Sequence, residues 1–538
     1  MRRFSSYGPV DTALHYYVPR QELVDRACAE LLGEDPTRGG HYITVWAPRQ
    51  RGKTWVMGRA VALLRREPTF QTVYLTLEHL KTTDDLDRIA QLIARDLCKA
   101  LSLAGISVRS LDEFDQLFTR DVLTRPLILI LDEFDSLTEG AISGLAAIFR
   151  NIYLRRQQQT DRLSAEKDYL LHGVALIGVR GVLGIESRTG SPFNVQRGLF
   201  IPNLTFAEVE AMFRWYARES GQTVEQAVIE RVYAETRGQP GLTSWLGELL
   251  TETYNPDPRR PLDLAVFEQA YGAALNILPN ANILNLISKA RQEPYRATIL
   301  ELFKTDAKMP FRYDDPPLNF LYQNGVIDWE QESPEAYYVR FPSPFVQKRL
   351  FNTFARELVA DTGRLYAAFE DLAAVITAER VHVANLLRRF ERYLAENRAW
   401  LLQDAPRKSN LRLYEAVFHF ILYRYLADFL QSYRGRVWPE FPTGNGKVDP
   451  STGSGQALLL AYAGVVYGLE VKSFTNLPDY QRALRQAAAY GRQLGLAEMT
   501  LALFLEQVDD ANRARYEAVY TDAATGVRVA PVFVQTGR

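Results

Sequence analysis

The sequence predicts an α/β multidomain protein whose first domain is built on a parallel sheet. Its 538 residues are too many for one hydrophobic core, so two to four domains are expected. Residues 42–46 form an apolar run ahead of a loop that contains Lys53. Residues 126–131 form a second apolar run, which ends at Asp132 and Glu133. Apolar strands that end in polar loops and alternate with helices are typical of parallel α/β sheets.

The composition excludes several classes of protein. Lys and Arg number 63 against 64 Asp and Glu, so no overall basic field attracts nucleic acid, and any such contact would have to be local. No uninterrupted apolar run is long enough to cross a bilayer, so no membrane partner is expected. The first residues turn polar before a signal peptide could form, and only Cys28 and Cys98 are cysteines. A cytoplasmic protein without a Cys/His zinc cluster is therefore expected.

The loop after the first apolar run has the residues of a nucleotide phosphate cradle. Backbone N–H groups and the following helix N-terminus are expected to face the phosphates, while Lys53 reaches the outer ones and the Thr54 hydroxyl ligates Mg²⁺. Ala47 stands where the usual motif has its first glycine. ATP and Mg²⁺ are the predicted cofactors, and the predicted binding residues of the loop are Ala47, Pro48, Arg49, Gln50, Arg51, Gly52, Lys53 and Thr54.

The two acids after the second apolar run match the Walker B pattern. A buried parallel strand would bring Asp132 to its C-terminal edge, where it can hold Mg²⁺ through water, and Glu133 can polarise the attacking water. The alternative for the two motifs is an ordinary loop and an N-capping acid. The Tyr, His and Pro residues of segment 8–19 are expected to lie across the nucleotide base.

Further strands and helices are predicted around these motifs. Strand residues are expected at 72–77 and 174–178, and helices at 21–32, 55–66 and 84–104. Arg180, just after the last of these strands, is a candidate for sensing the outer phosphate, although an arginine at a strand end is equally often a surface or ion-pair residue.

A helical region follows the first domain. The pattern predicts helices at 206–219, 224–236 and 242–253, and Pro240 stands between the last two, within Arg-Gly-Gln-Pro-Gly. Ser-Pro-Phe-Asn at 191–194 precedes this region.

Together these motifs resemble the STAND-like branch of prokaryotic AAA+ ATPases. The resemblance implies a P-loop parallel-sheet ATPase domain at 1–203, a helical lid at 204–275 and a winged-helix domain at 276–355. It also implies that Pro240 takes the position of a nucleotide sensor and holds a closed, inactive form. Ala47 matches this branch too.

The predicted winged helix contains few basic residues. Helices are expected at 283–292 and 297–305, then an apolar helix that ends at Asn324-Gly325 and a strand at 337–341. Docking to protein is favoured over DNA reading because the candidate recognition helix has few Lys or Arg. Residues 356–404 are interpreted as a helical linker with a solvated, mixed-charge face.

A second group of chemically active residues lies near the C-terminus. Glu415 falls on a helix predicted at 411–430, and Asp449 follows in a polar loop. Glu470 and Lys472 are two apart on a predicted strand, so their side chains share one face. Asp449, Glu470 and the Val471 carbonyl could bind Mg²⁺ while Lys472 orients a water for attack on a phosphodiester. The alternative is a strand with an exposed Glu-x-Lys ion pair.

The next predicted helix, 479–494, carries Gln486 and Tyr490 on one face. With these residues, 405–538 resembles the PD-(D/E)XK nuclease superfamily, with an α/β restriction-endonuclease-like fold. The resemblance implies that Asp449, Glu470 and Lys472 are the catalytic core, that Glu415 assists a second metal, and that Gln486 contacts substrate or orients the site. Mg²⁺ is expected at this site, and Mn²⁺ is an alternative.

The resulting hypothesis is an ATP-regulated, metal-dependent nuclease that cleaves nucleic acid, with DNA as the expected substrate and with ATP acting as a conformational switch. The alternatives are a regulatory or scaffold ATPase whose nuclease-like domain binds nucleic acid without cutting, and a translocating motor. The sequence leaves open whether a protein or a nucleic acid is the trigger and whether the chain forms a homo-oligomer.

Overall fold

A computed structural model describes residues 2–178, 197–303, 309–366, 370–406, 415–440, 457–473 and 476–537. The chain forms two compact units, each with its own sheet. The first comprises Met1–Gly272 with Gln323–Gly325, and the second comprises Ala273–Tyr322 with Val326–Arg538. No helix within these described ranges is both long and apolar enough to cross a membrane.

The first unit contains the predicted parallel sheet. Its five strands lie in the order β2-β3-β4-β1-β5, and every pairing between neighbours is parallel. The strands are β1 (Tyr42–Trp46), β2 (Gln71–Thr76), β3 (Leu127–Asp132), β4 (Leu171–Gly178) and β5 (Arg197–Phe200). All residues of β3 and β4 are buried, as expected for strands covered on both faces.

Helices cover both faces of this sheet. They are α1 (Gln21–Leu32), α2 (Lys53–Leu64), α3 (Leu86–Leu101) and α4 (Glu139–Gln157). Ile128 and Ile130 of β3 pack on the face with α1 and α2, while Leu127 and Leu129 pack on the face with α3 and α4. The two-residue alternation of a strand thus fills two separate cores. Helix α3 begins later than predicted because Asp85 caps it, accepting a hydrogen bond from the Arg88 amide.

A helical segment completes the first unit. It consists of α5 (Phe206–Ser220), α6 (Gln226–Thr236), α7 (Pro240–Glu248), a π-helical turn (Leu249–Tyr254) and α8 (Leu264–Asn276), whose last residues belong to the second unit. Helix α5 begins with a capping box formed by Thr205 and Glu208. Phe4 packs its ring against Phe213 and Tyr216 of α5, which fixes the N-terminal segment to these helices.

The second unit begins with short helices and a hairpin. These are α9 (Ala281–Ala290), α10 (Tyr295–Leu302), α11 (Pro316–Gln323), the antiparallel strands β6 (Asp328–Ser333) and β7 (Ala336–Arg340), and α12 (Pro344–Leu358). The helices and the hairpin occur in the predicted order. Their assignment as a winged helix stays a prediction.

The expected continuous helical linker is not observed. Helix α12 ends at Leu358, the next helix is α13 (Val383–Leu401), and the described residues between them form turns and a short bridge. Gly363 helps to interrupt the helix: it has φ +62° and donates its amide to Asp361 Oδ1 at 2.8 Å.

Arg392 and Glu396 of α13 are exposed, as expected for a solvated charged face, but other charges of this helix are not solvated. Arg389 is only 5% exposed and binds both carboxylate oxygens of Glu370, at 2.9 and 2.6 Å. Arg388 donates to the Phe533 carbonyl at 2.5 Å, and Glu391 accepts from the Gln535 amide at 2.9 Å. Arg388 and Glu391 thus form hydrogen bonds with backbone groups of the last strand that face away from the neighbouring strand. Helix α13 is therefore an integral part of the second unit.

A mixed six-stranded sheet forms the core of the second unit. Its order is β12-β13-β11-β10-β9-β8. Strands β8, β9 and β10 form an antiparallel meander, while β10, β11 and β13 are parallel. The elements in chain order are α14 (Glu415–Gln431), β8 (Arg436–Glu440), β9 (Ala457–Tyr462), β10 (Val465–Ser473), α15 (Leu477–Gln493), β11 (Glu498–Leu505), α16 (Asp510–Tyr516), β12 (Tyr520–Thr521) and β13 (Arg528–Gln535).

Helices lie on both faces of this second sheet. Leu501 and Leu503 of β11 pack against α15, whereas Phe504, on the opposite face, contacts Phe390 of α13 and stacks on His419 of α14. The sheet is therefore a middle layer covered by helices on both faces. Polar side chains on one face of the sheet would lie between the sheet and α15.

Candidate functional site

The loop between β1 and α2 is shaped by two left-handed residues. Gln50 has φ +58° and Gly52 has φ +89°, and Gly52 is the N-cap of α2. The Gly52 carbonyl accepts the first helical hydrogen bond, from the Val56 amide at 3.0 Å. Ala47 is fully buried in the core formed with α1 and α2, which explains why a methyl group is accommodated at the first position of the motif.

Lys53 is held within this loop. Its Nζ donates to the carbonyl oxygens of Ala47 at 2.8 Å and Pro48 at 3.3 Å. Burial lowers the pKa of Lys53, and the charges of Asp135 and Glu133 oppose this shift. An ammonium group at the N-terminus of a helix adds its charge to the helix dipole, so this end of α2 favours an anion.

Asp132 and Thr54 meet at the C-terminal end of β3. The Thr54 hydroxyl donates to Asp132 Oδ2 at 3.0 Å, and the Glu133 amide donates to Asp132 Oδ1 at 2.9 Å. The Tyr74 hydroxyl donates to the same Oδ2 oxygen as Thr54. A hydroxyl and a carboxylate beside a phosphate-binding loop are oxygen ligands of the kind that Mg²⁺ prefers, so the residues present fit Mg²⁺ bound with a nucleotide.

Glu133 lies beside the same group. Its backbone is left-handed, with φ +55°, and its side chain lines the cavity over the loop at 49–54. Burial raises the pKa of Glu133, and the charges of Asp135 and Asp132 raise it further, while Lys53 and Arg49 oppose the shift. A carboxylate with a raised pKa is a stronger base than an exposed one.

A cavity of about 950 Å³ opens over the loop. Its walls come from the loop at 49–54, the N-terminal segment at 8–12, the side of α2 that includes Gly58 and Ala62, and the start of α7. The volume lies in the range of small-molecule and cofactor sites. Segment 8–19 was expected to lie across the nucleotide base. Residues 8–12 of that segment line the cavity.

The start of α7 contacts the loop directly. Pro240 is the first residue of this helix and lines the cavity. The Gly241 amide donates to the Gln50 carbonyl at 3.2 Å, and Gln239 Nε2 donates to the Arg49 carbonyl at 3.2 Å. A Cβ atom on Gly241 would lie 2.3 Å from Oε1 and 2.7 Å from Cβ of Gln50, so a larger residue at 241 would require Gln50 to shift. The helical segment is thus coupled to the loop through backbone contacts.

Two residues of this site were missed by the sequence reasoning. Tyr74 looks like an ordinary core aromatic on β2, although it neighbours the strand that carries Asp132. Arg20 lies outside every motif. Its guanidinium group, 6% exposed, donates to the carbonyls of Arg51 at 3.4 Å and Pro202 at 2.8 Å and so ties the loop to the chain after β5. Arg180 and residues 191–194 lie outside the described residues.

The second predicted site lies on β10. Lys472 Nζ is 3.7 Å from Glu470 Oε1, and the two side chains are 7% and 0% exposed. The alternative of a solvent-exposed ion pair on this strand is therefore wrong. Charged groups are rarely buried to this degree without a specific reason.

Gln486 and Tyr490 face the same layer. Gln486 Nε2 donates to the Tyr490 hydroxyl at 2.8 Å, and both side chains are buried. Glu470 is in register with Leu501, which packs against α15, so Glu470 points to the face that α15 covers. The structure thus brings Glu470, Lys472, Gln486 and Tyr490 to one side of the sheet.

Two predicted members of this site lie wholly or partly outside the described residues. Asp449 lies outside the described residues, and for Glu415 only the backbone, at the start of α14, is described. Val471 is described, and its carbonyl belongs to the central strand β10. Within the described ranges, no group of three or more His, Cys, Asp or Glu side chains is arranged to hold a metal.

The sequence reasoning also missed Glu440 and Lys348. Glu440 ends β8 and lies in one cross-strand row with Ala457 and Glu470, so the two glutamates share a face of the sheet. Two strand spacings place their backbones roughly 10 Å apart. Lys348 of α12, 2% exposed, binds both oxygens of Glu440 at 3.2 Å.

One comparison with known proteins concerns the first region of the chain. Residues 5–246 match the family model described as the AAA-like domain. The match includes the phosphate-binding loop, Asp132, Glu133 and the start of α7, and it ends before the second unit. No curated protein sequence matches the chain.

Several solved structures show weak overall similarity to part of the chain. The Walker-type ATPase PABY2304 of Pyrococcus abyssi is 14% identical, with a TM-score of 0.42, and the alignment covers 64% of this chain and 99% of that one. The Orc1 protein of Aeropyrum pernix, in complex with DNA, is 15% identical, with a TM-score of 0.33 and coverage of 64% and 95%. RuvB of Thermotoga maritima is 15% identical, with a TM-score of 0.33 and coverage of 60% and 92%.

Proposed function

We propose that the first unit binds and hydrolyses ATP with Mg²⁺. The observation that carries this proposal is the contact between Thr54 and Asp132 at the end of a loop that holds Lys53, within an AAA-like domain. The loop amides, the α2 N-terminus and Lys53 bind the phosphates. Thr54 and Asp132 hold Mg²⁺, which neutralises charge on the phosphates when bound. Glu133 orients the attacking water and accepts its proton.

Nucleotide binding is tested with the whole chain. Isothermal titration with ATP and Mg²⁺ should show binding by the wild-type protein and at least tenfold weaker binding by Lys53→Ala. Lys99→Ala, which changes an exposed lysine of α3, is the matched control and should behave as wild type. Glu133→Gln should bind ATP but release little phosphate. Equal ATP affinity in Lys53→Ala and wild type would contradict the assignment of the loop.

The second unit is proposed to be a metal-dependent nuclease, with DNA as the proposed substrate. The buried pair of Glu470 and Lys472 supports this, together with the order of α14, the meander, α15 and the parallel strand β11. In this proposal Asp449, Glu470 and the Val471 carbonyl hold the metal, Glu415 assists a second metal, and Lys472 orients the attacking water. The hydrogen bond from Gln486 to Tyr490 supports a positioning role for Gln486.

Cleavage is tested on plasmid DNA, single-stranded DNA and RNA, each with Mg²⁺ or Mn²⁺ and with or without ATP. Lys472→Ala should abolish cutting and leave ATP binding intact, with Lys99→Ala as the control. Nucleic-acid binding without cleavage under any of these conditions would favour the alternative, a regulatory or scaffold ATPase. Cutting by Lys472→Ala at the wild-type rate would place the chemistry elsewhere.

The two sites are proposed to act as a switch, with a nucleic acid or a protein as the trigger. The contacts of Gln239 and Gly241 with the phosphate-binding loop support this, because a ligand that moves Arg49 or Gln50 must also move the start of α7. Pro240 would hold the closed form in this account. Sedimentation with and without ATP would test whether a homo-oligomer forms on switching.

A further inference from the structure

Tyr74 contacts the predicted metal-binding carboxylate from the neighbouring strand. It lies on β2, in register with Ile130 of β3, two residues before Asp132. Its hydroxyl donates to Asp132 Oδ2, and its side chain lines the cavity over the phosphate-binding loop. The phenol therefore reaches the site from the sheet, whereas Thr54 reaches it from α2.

Three donors converge on the Asp132 carboxylate. Tyr74 and Thr54 both donate to Oδ2, and the Glu133 amide donates to Oδ1. Asp132 is 4% exposed, so little water competes for these oxygens. Because a carboxylate rotates about its terminal bond, two donors on one oxygen and one on the other fix its orientation.

The phenol can act only as a donor toward this carboxylate. The Tyr74 hydroxyl supplies the proton of this hydrogen bond, because a carboxylate offers only acceptor oxygens. Removal of the phenol oxygen would leave Oδ2 with the Thr54 hydroxyl as its described donor, and Thr54 is itself a predicted ligand of Mg²⁺.

We propose that Tyr74 is a positioning residue of the nucleotide site, which holds Asp132 in the orientation that meets Thr54 and thereby sets how tightly the site takes Mg²⁺ with the nucleotide. This inference rests on the proposed ATP-binding function. In this proposal Tyr74 affects the binding of the divalent cation and not the binding of the base or the sugar of the nucleotide.

The test is Tyr74→Phe in the full chain, with binding of a fluorescent ATP analogue measured over a titration of MgCl₂ and, separately, in EDTA. Hydrogen bonds to charged groups are among the stronger ones, so the variant should need about tenfold to a hundredfold more Mg²⁺ for half-maximal binding. Affinity in EDTA should stay within about twofold of wild type, because the loop and Lys53 are unchanged.

Tyr169→Phe is the matched control. The Tyr169 hydroxyl donates to Asp115 Oδ2 at 2.7 Å, a bond of the same chemistry in the same unit, and neither residue lines the cavity. This variant should bind as wild type in both titrations. Tyr74→Phe should also have no additional effect on Mg²⁺ dependence in an Asp132→Asn background, since the partner that it positions is then already altered.

Three results would overturn the inference. An unchanged or lower Mg²⁺ requirement in Tyr74→Phe would show that the phenol does not assist the cation. An equal loss of affinity in EDTA would show a general effect on the cavity, and a further shift in the Asp132→Asn background would show that Tyr74 acts elsewhere. A wild-type chain that binds no nucleotide at any Mg²⁺ concentration would overturn the proposed function itself, and this inference with it.

Discussion

Removal of the Glu440 carboxylate is expected to destabilise the second unit strongly. Lys348 is 2% exposed and Glu440 is 14% exposed, and the ammonium lies 3.2 Å from both carboxylate oxygens. Glu440→Gln leaves a buried ammonium opposite a neutral amide. Breaking a buried ion pair in this way typically costs about 3–5 kcal/mol. For a unit of this size, 3 kcal/mol corresponds to a fall in melting temperature of roughly 6–12 °C.

The measurement is thermal unfolding followed by calorimetry, with a surface pair as the control. Arg528 and Glu498 form an ion pair in the same sheet, but these side chains are 62% and 51% exposed. Glu498→Gln should therefore cost less than about 1 kcal/mol. The double variant Lys348→Met/Glu440→Gln should recover most of the lost stability, because no charge is then left buried. A Glu440→Gln protein as stable as Glu498→Gln would refute the reasoning.

Three further predictions concern the loop, the proposed base and the buried arginine. Gly241→Ala should lower stability by about 1–3 kcal/mol in urea unfolding, because its Cβ would lie 2.3 Å from Oε1 and 2.7 Å from Cβ of Gln50, and Gln50→Gly, which removes both atoms, should restore most of it; no recovery would place the strain elsewhere. ATP hydrolysis should fall as the pH drops through a value above the ordinary glutamate range, because the pKa of Glu133 is raised and its carboxylate is the active form. A Glu133→Gln protein with the same acidic limb in its pH–rate profile would contradict that role. Arg389→Lys should cost about 2–3 kcal/mol in urea unfolding, since lysine cannot form the two-pronged contact with Glu370, and a change below about 0.5 kcal/mol would show that the fork is not needed.

Much of the first unit could be predicted because its buried strands are continuous apolar runs. The run before Asp132 has no polar residue, and it forms the fully buried strand β3 at the predicted place. The contact between Thr54 and Asp132 followed from the same pattern, since the loop after β1 and the end of β3 meet at one edge of a parallel sheet. Local sequence was enough to predict this contact because both residues lie just after buried strands of one parallel sheet.

Residues whose role depends on distant partners could not be predicted. Arg389 resembles other arginines of a mixed-charge helix, and its burial depends on Glu370 and on aromatic side chains from α14. Lys348 lies 92 residues from Glu440, so no helical or strand periodicity connects them. Tyr74 matches the composition of a core strand, and only the pairing of β2 with β3 brings it to Asp132.

The break between α12 and α13 shows a different limit. Helical periodicity in the charged and apolar residues on both sides suggested one continuous helix, although Asp361 and Gly363 are turn-forming residues. A turn signal of two residues was outweighed by the longer pattern. The described segment between the helices contributes Glu370, without which Arg389 would be a buried unpaired charge.

The measurement that tests the central claim most directly is the rate of plasmid cleavage as a function of ATP concentration, in wild type and in Lys53→Ala, with Mg²⁺ present throughout. A nucleotide-switched nuclease predicts that the wild-type rate changes with ATP over the range in which ATP binds. It also predicts that Lys53→Ala cuts at one constant rate and that Lys472→Ala does not cut at all. Identical ATP dependence in wild type and Lys53→Ala, or no cleavage by the wild-type chain under any condition, would contradict the account.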